Sequence, residues 1–366
     1  MMQDTAVQSS GTSTITRRLD LSAGPWATTN WIVLGIALLA MLALPWLVIQ
    51  LSIGRFILHL LILFFVWSIV AQSWNLVMGV AGIFSFAQLA LFGIGGATTG
   101  ALALHLQWSP WVSLWLAPIT ATIAALIIGL PTLRLRGPYV VLLTLAFHEL
   151  FRNFHTQGPT WIAGGGYGLR GVPKFGLEDM LGNDVGRIAY YYMAFVLFAI
   201  ATYVIWRIFH SPIGVSFYAL RDSETYAISR GVDPFRFKML LFGLSAFFTG
   251  LAGGFYIHYN GNQSPAILSF SIMINLLAGI VLGGWGTFFG PILGTGIMTV
   301  LPELMREVEN YRNLSIGVIL ALLAIFAARG LGPMIAAGVR TLSRAGRPAE
   351  PPPKGKEGEY AAKGRR

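Results

Sequence analysis

The chain has 366 residues, of which 55% are hydrophobic and only 11% charged, with a net charge of +10 and no cysteine. Typical soluble domains carry about 25% charged residues, so this composition excludes an ordinary water-soluble globule and implies a surface that faces lipid. The missing cysteine excludes disulfide and thiolate chemistry.

Residues 1–28 are polar and rich in Ser and Thr, and they include Arg17-Arg18, which could pass for a twin-arginine export signal. The apolar run that follows starts only near Trp31, continues to about Leu51 and is long enough to cross a bilayer, with no convincing cleavage site after it. We read 1–28 as a disordered cytoplasmic tail that leads into a first transmembrane helix. Further spans are predicted over 56–77, 83–104, 110–131, 138–154, 188–209, 238–258, 267–283, 289–302 and 312–328. The clusters Gly93-Ile94-Gly95-Gly96 and Gly283-Gly284-Trp285-Gly286 mark the third and ninth spans as broken or re-entrant. The fold class is therefore all-α: a polytopic integral membrane protein with about ten transmembrane helices. The transmembrane domain runs over 29–332, with a longer connection at 210–238. A basic tail over 333–366, containing Pro351-Pro352-Pro353, is expected to be disordered and cytoplasmic.

Positive charge sets the orientation. With the N-terminus inside and ten spans, 18 of the 25 Lys and Arg residues fall in cytoplasmic segments. They lie in the two tails, the Arg134–Arg136 turn and the stretch from Arg207 to Lys238. The exceptions, such as Arg55, Arg170, Lys174 and Arg187, are offset by Glu178, Asp179 and Asp184. Both termini are thus expected in the cytoplasm, and the basic charge reads as membrane orientation, not as a nucleic-acid signal.

Several chemistries are missing from the sequence. It has no G-x-x-x-x-G-K-[ST] phosphate loop and no G-x-S-x-G elbow, and its six histidines are not spaced as metal ligands. No cofactor or metal is called for. Within the predicted spans Glu149 is the main carboxylate, and Arg152 at i+3 makes a structural pair the plainer reading than an ion-coupling site. The sequence therefore describes a membrane pore-former without its own engine.

The 210–238 connection is the candidate attachment point. It is basic (Arg221, Arg230, Arg236, Lys238), and at about 100° per residue Glu224, Ala227 and Gly231 would share one helix face. A face of small residues would let a partner dock closely, whereas the plainer alternative is a solvated loop.

Five motifs, in order, resemble the LivM-type permease subunits of branched-chain amino acid ABC importers. They are Asn75-Leu76-x-x-Gly79-x-x-Gly82-x-x-Ser85-x-Ala87-Gln88; Leu133-Arg134-Leu135-Arg136-Gly137-Pro138-Tyr139 with Thr144-Leu145-Ala146-Phe147; Gly164-Gly165-Gly166-Tyr167-Gly168-Leu169; Ser211-Pro212-Ile213-Gly214 through Arg221 and Glu224 to Ala227 and Gly231; and Leu282-Gly283-Gly284-Trp285-Gly286-Thr287 with Gly290-Pro291. Ala87 stands where the family has glycine, and Gly166 where it has serine. The resemblance covers about Trp74 to Gly332.

It implies a non-enzymatic transport subunit in a bacterial-type inner membrane. Expected partners are a second related permease, two ATP-binding subunits and an extracytoplasmic substrate-binding protein. Branched-chain or related amino acids would be the substrate, with urea or short amides, or a stand-alone carrier or channel, as alternatives. Ala227 and Gly231 fill the third alanine and the glycine of an E-A-A-x-x-x-G coupling helix, while Thr225 and Tyr226 depart from it. The coupling residues implied are thus Arg221, Glu224, Ala227, Arg230 and Gly231, with the arginines available to acidic groups on the ATPase. Asn75, Ser85, Gln88 and Asn275 are candidates for the path, with interhelical hydrogen bonding as their plainer reading. Gly164, Gly165, Gly166 and Tyr167 are candidates for facing the binding protein.

Overall fold

The computed structural model describes residues 40–51, 53–135, 137–159, 161, 164–304 and 317. The predicted tails (1–28 and 333–366), residues 31–39 of the first span, Arg136, and all of the last span but residue 317 lie outside the described residues. The chain divides into two units, Met1–Gly54 and Arg55–Arg366. In the first, residues 40–48 are helical (α1), within the first predicted span.

Among the described residues the second unit is mostly helical, with one small strand pair. Its longer helices are α2 (Gly54–Asn75), α3 (Gln88–His105), α5 (Leu116–Thr132), α6 (Pro138–Gln157), α8 (Asn183–Phe209), α11 (Pro234–Asn260), α12 (Phe270–Gly284) and α13 (Gly290–Leu304). Shorter ones are α4 (Pro110–Ser113), α7 (Leu177–Leu181), α9 (Pro212–Asp222) and α10 (Glu224–Ser229). Four segments among the described residues are long and apolar enough to cross a membrane: Gly54–Val80, Pro110–Thr132, Asn183–Phe209 and Pro234–Asn260. Each matches a predicted span. At about 1.5 Å per residue, the 27 residues of α11 exceed the thickness of a bilayer core.

The centre is built from small residues. Helix α3 packs against both α5 and α11, and two thirds of its residues are buried. Where α3 and α11 cross, a Cβ at Gly95 would stand 2.7 Å from the Cα of Gly250, and one at Gly253 would collide with the Phe92 carbonyl. On its other side Gly250 abuts Ala117 and Ala121 of α5. Backbones that touch in this way gain van der Waals contact, the main force holding helices together in lipid. The cluster at Gly93–Gly96 therefore does not break the third span. Helix α3 runs through it unbroken, and the glycines admit α11. The irregular part comes earlier, at residues 82–87, which have no helical turn. The ninth span likewise forms α13, and the glycines beside the 285–289 turn bring Gly283 against Gly290 and Gly279 against Gly294.

Helix α2 ends in one wide π turn, Leu76–Val80, closed by Ala81 N–H to Leu76 O at 3.4 Å. Upstream, Phe65 contacts the rings of Tyr191, Phe195 and Phe198 of α8, with centroids 5.3–5.5 Å apart. The π turn, the 133–137 turn, the α9–α10 segment and the 285–289 turn meet at one end of this unit. At the opposite end, β1 (Leu169–Arg170) pairs antiparallel with β2 (Asn262–Gln263). His155 Nε2 and His148 Nε2 donate to the carbonyls of Gln263 and Leu268, at 3.2 and 3.0 Å, fastening that end to α6.

Candidate functional site

The α9–α10 segment is fixed by local signals. Ser211 caps α9 by accepting from Gly214 N–H, with Pro212 in the first turn. Ser223 caps α10 by accepting from Tyr226 N–H at 3.3 Å. Helix α10 then stops after six residues in a Schellman turn. Val232 N–H reaches Ala227 O at 3.1 Å, Gly231 N–H reaches Ile228 O at 2.9 Å, and Gly231 takes φ +84°.

This geometry corrects the expected docking face. Gly231 lies beyond the helix as its C-terminal turn residue, because an L side chain is strained at that φ. Ala227 is 1% exposed, so it faces the chain's own body and no partner. The exposed side of α10 carries large groups instead. Tyr226 and Ile228 are 56% and 53% exposed, and Phe235 stands nearby at 46%. Arg230 lies on Tyr226, with Nη2 donating to the phenolic oxygen at 3.0 Å and its guanidinium 5.3 Å from the ring centre. Glu224 pairs with Lys238 Nζ at 3.1 Å, across the α10–α11 connection.

Arg221, with a side chain 37% exposed, bonds to groups of its own chain. Its Nη1 donates to Gly79 O at 2.9 Å and its Nε to Asp222 Oδ1 at 3.1 Å. Beneath the segment, Gly214, Phe217 and Leu220 are the buried face of α9, and Phe217 packs with Leu76, Val77, Val80, Leu241 and Phe242. The segment is thus seated on the ends of α2 and α11. Beside it lies a cavity of about 710 Å³, lined by Gly82–Phe84, Thr132, Leu133, Leu135, Gly137, Pro138 and Val140–Leu142, together with Glu224 and Lys238.

The four candidate path residues divide. Asn75 accepts from Gly286 N–H and donates to Thr287 O, both at 2.9 Å. Gln88 Nε2 donates to Ser245 Oγ at 3.0 Å and to Thr249 Oγ1, and Ser245 Oγ reaches Ser73 O at 2.7 Å. Ser85 is buried, with its carbonyl accepting from Trp74 Nε1 at 2.7 Å. In this conformation Gln88 ties α3 to α11, Asn75 ties the end of α2 to the 285–289 turn, and Ser85 is held to α2 through its backbone. Asn275, half-buried on α12, makes no side-chain hydrogen bond to the other described residues. Glu149 and Arg152 form the expected i,i+3 pair, at 3.1 Å.

At the opposite end, Gly164, Gly165 and Gly168 all have positive φ and shape a tight loop. It presents Tyr167, 73% exposed, with the Arg170 guanidinium 4.7 Å from its ring centre. A Cβ on Gly166 would meet nothing within 4 Å.

Sequence reasoning missed Tyr226 and Ile228, although bulky apolar residues amid charges were the available signal. It also missed the bond of Arg221 to Gly79, for which the sequence carries no signal because that partner is a backbone carbonyl 142 positions away.

Helices long and apolar enough to cross a membrane, packed through glycines, with a capped helical segment seated on their ends, define a polytopic membrane protein. The family model for the branched-chain amino acid transport system / permease component matches residues 56–328. The chain belongs to that family. It is 32% identical over 290 residues to the high-affinity branched-chain amino acid transport system permease protein LivM of Salmonella typhimurium, covering 74% of this chain and 68% of the relative. It is also 32% identical over 317 residues to the LivM protein of Escherichia coli K12, covering 81% and 74%. No solved structure matches it.

Proposed function

We propose that this chain forms the translocation path of an ATP-driven importer for branched-chain or related amino acids. It works with a second related permease, two ATP-binding subunits and an extracytoplasmic binding protein. The α9–α10 segment faces the cytoplasm and takes the ATP-binding subunit, and both termini lie on that same side. The Gly164–Tyr167 loop faces the binding protein. One observation carries the coupling part: Tyr226 and Ile228 stand exposed on a short capped helix among charged residues. Exposed apolar groups with a charged surround are what a protein partner covers. Family membership, the distribution of basic residues and the lack of a phosphate loop in the chain support the same reading. Asn75, Ser85 and Gln88 line the path only in a second conformation that opens their present bonds, whereas Asn275 needs no such change.

The test is reconstitution of the assembled complex in proteoliposomes with labelled leucine and the binding protein. ATP should drive accumulation, and a non-hydrolysable analogue should not. Accumulation without ATP-binding subunits would contradict the proposal.

A further inference from the structure

Three glycines clear a space that Arg221 fills. A Cβ at Gly82 would stand 2.7 Å from Arg221 Cγ. One at Gly79 would stand 2.6 Å from Gly286 N, and one at Gly286 would lie 3.0 Å from Gly79 O and 3.6 Å from Arg221 Nη1. Into this space the guanidinium sends Nη1 to the Gly79 carbonyl, while Asp222 holds Nε and the Tyr218 ring lies 5.3 Å from the guanidinium carbon. Asn75 completes the cluster by bonding Gly286 N–H and Thr287 O. Phe84 and Trp285 pack alongside, with ring centres 5.0 Å apart. One side chain of the α9–α10 segment therefore engages the π turn of α2, the non-helical stretch after it and the α12–α13 turn.

That stretch also has a wall to offer: Gly82, Ile83 and Phe84 line the 710 Å³ cavity. A hydrogen bond from a charged donor to a carbonyl is stronger than a neutral one, and a planar guanidinium held at two of its nitrogens has little freedom to swing. Movement of α9 must then carry Gly79 and Gly82 with it or break the bond.

We propose that Arg221 is the positioning residue that transmits ATP-driven movement of the α9–α10 segment to the Gly82–Phe84 wall of the cavity. This rests on the importer reading above. It assigns Arg221 a role inside the chain, separate from the exposed face of α10. The tie acts through Gly79 O and the space left at Gly82 and Gly286, so a shorter or apolar side chain uncouples the wall while the outer face of α10 stays in place.

The test uses the full complex in proteoliposomes, with Arg221→Met and Arg221→Lys. For Arg221→Met the ATP-binding subunits should still co-purify, and ATP consumed per leucine transported should rise by roughly ten-fold, the scale of one lost charged hydrogen bond. Arg221→Lys, which keeps the charge but not the planar fork, should fall between Met and the unaltered chain. Because the chain has no cysteine, Ile83→Cys supplies a single reporter on the wall. Its maleimide labelling rate should differ between nucleotide-free and ATP-bound complex, and Arg221→Met should erase that difference. A nucleotide-dependent difference that survives Arg221→Met overturns the proposal, as does a wall that shows no difference with Arg221 present. Uptake and hydrolysis that fall in parallel, with the ratio unchanged, would also overturn it. Failure of the ATP-binding subunits to co-purify with the unaltered chain would overturn the importer reading, and the tie with it.

Discussion

The α3–α5–α11 core and the α9–α10 segment both rely on small residues, but they use them differently. In the core, Gly95, Gly250 and Gly253 sit where helix backbones touch, and the contact extends to Ala117 and Ala121. In the segment, Ala227 is buried beneath a single short helix and Gly231 turns the chain at its end. Gly231 is exposed, but as the turn residue beyond the helix and not as part of a small-residue helix face. The outward face of the segment is made by Tyr226, Ile228 and Arg230. The small residues Gly95, Gly250, Gly253 and Ala227 make contacts within the chain, and the large residues amid charge carry the contact proposed beyond it.

The comparison breaks most severely in the core. Gly250→Leu places atoms where the Cβ of Ala121 and the carbonyl of Ala117 already stand. Overpacking costs about 1–3 kcal/mol where side chains can yield, and more where backbone is struck. Folded protein recovered in detergent, followed by size-exclusion fluorescence, should drop to near zero. Recovery at the unaltered level would show that α5 and α11 do not approach as described.

A smaller effect is expected from the polar layer beside those glycines. Gln88→Leu removes the bonds to Ser245 and Thr249, and interhelical bonds in membranes contribute roughly 1 kcal/mol each. The melting temperature of the purified chain should fall by a few degrees. An unchanged temperature together with lost uptake would instead favour Gln88 as a path residue in this conformation.

The smallest effect is expected at the far end. Gly166→Ser adds a side chain into open space at an ordinary φ and should shift stability by less than about 0.5 kcal/mol. A large loss there would mean that the loop is packed by something outside the chain, which would sharpen its assignment to the binding protein.

Much of the fold was legible because apolar runs have a physical length. The predicted spans at 56–77, 110–131, 188–209 and 238–258 correspond to the four segments able to cross a bilayer. The site was legible in place and less so in detail. Spacing located a helix at Glu224, but the periodicity that put Ala227 and Gly231 on one face assumed that the helix continued past Ser229. A residue at φ +84° ends it there. Gly93–Gly96 read as a helix breaker because glycine has low propensity, yet tertiary contact with α11 overrides that weak preference. The bonds of Asn75 and Arg221 to Gly286, Thr287 and Gly79 join segments far apart in sequence, and no local pattern announces them.

The central claim is that a separate ATP-binding subunit engages the exposed face of α10. Ile228→Glu tests it most directly, because the side chain is exposed and a glutamate there leaves the chain's own packing intact. The measurement is co-purification of the ATP-binding subunit with the variant from membranes, normalised to the amount of permease. The account predicts normal membrane abundance with at least a ten-fold loss of bound subunit, the scale of one central interface residue. Full retention of the subunit on a correctly inserted Ile228→Glu chain would contradict it.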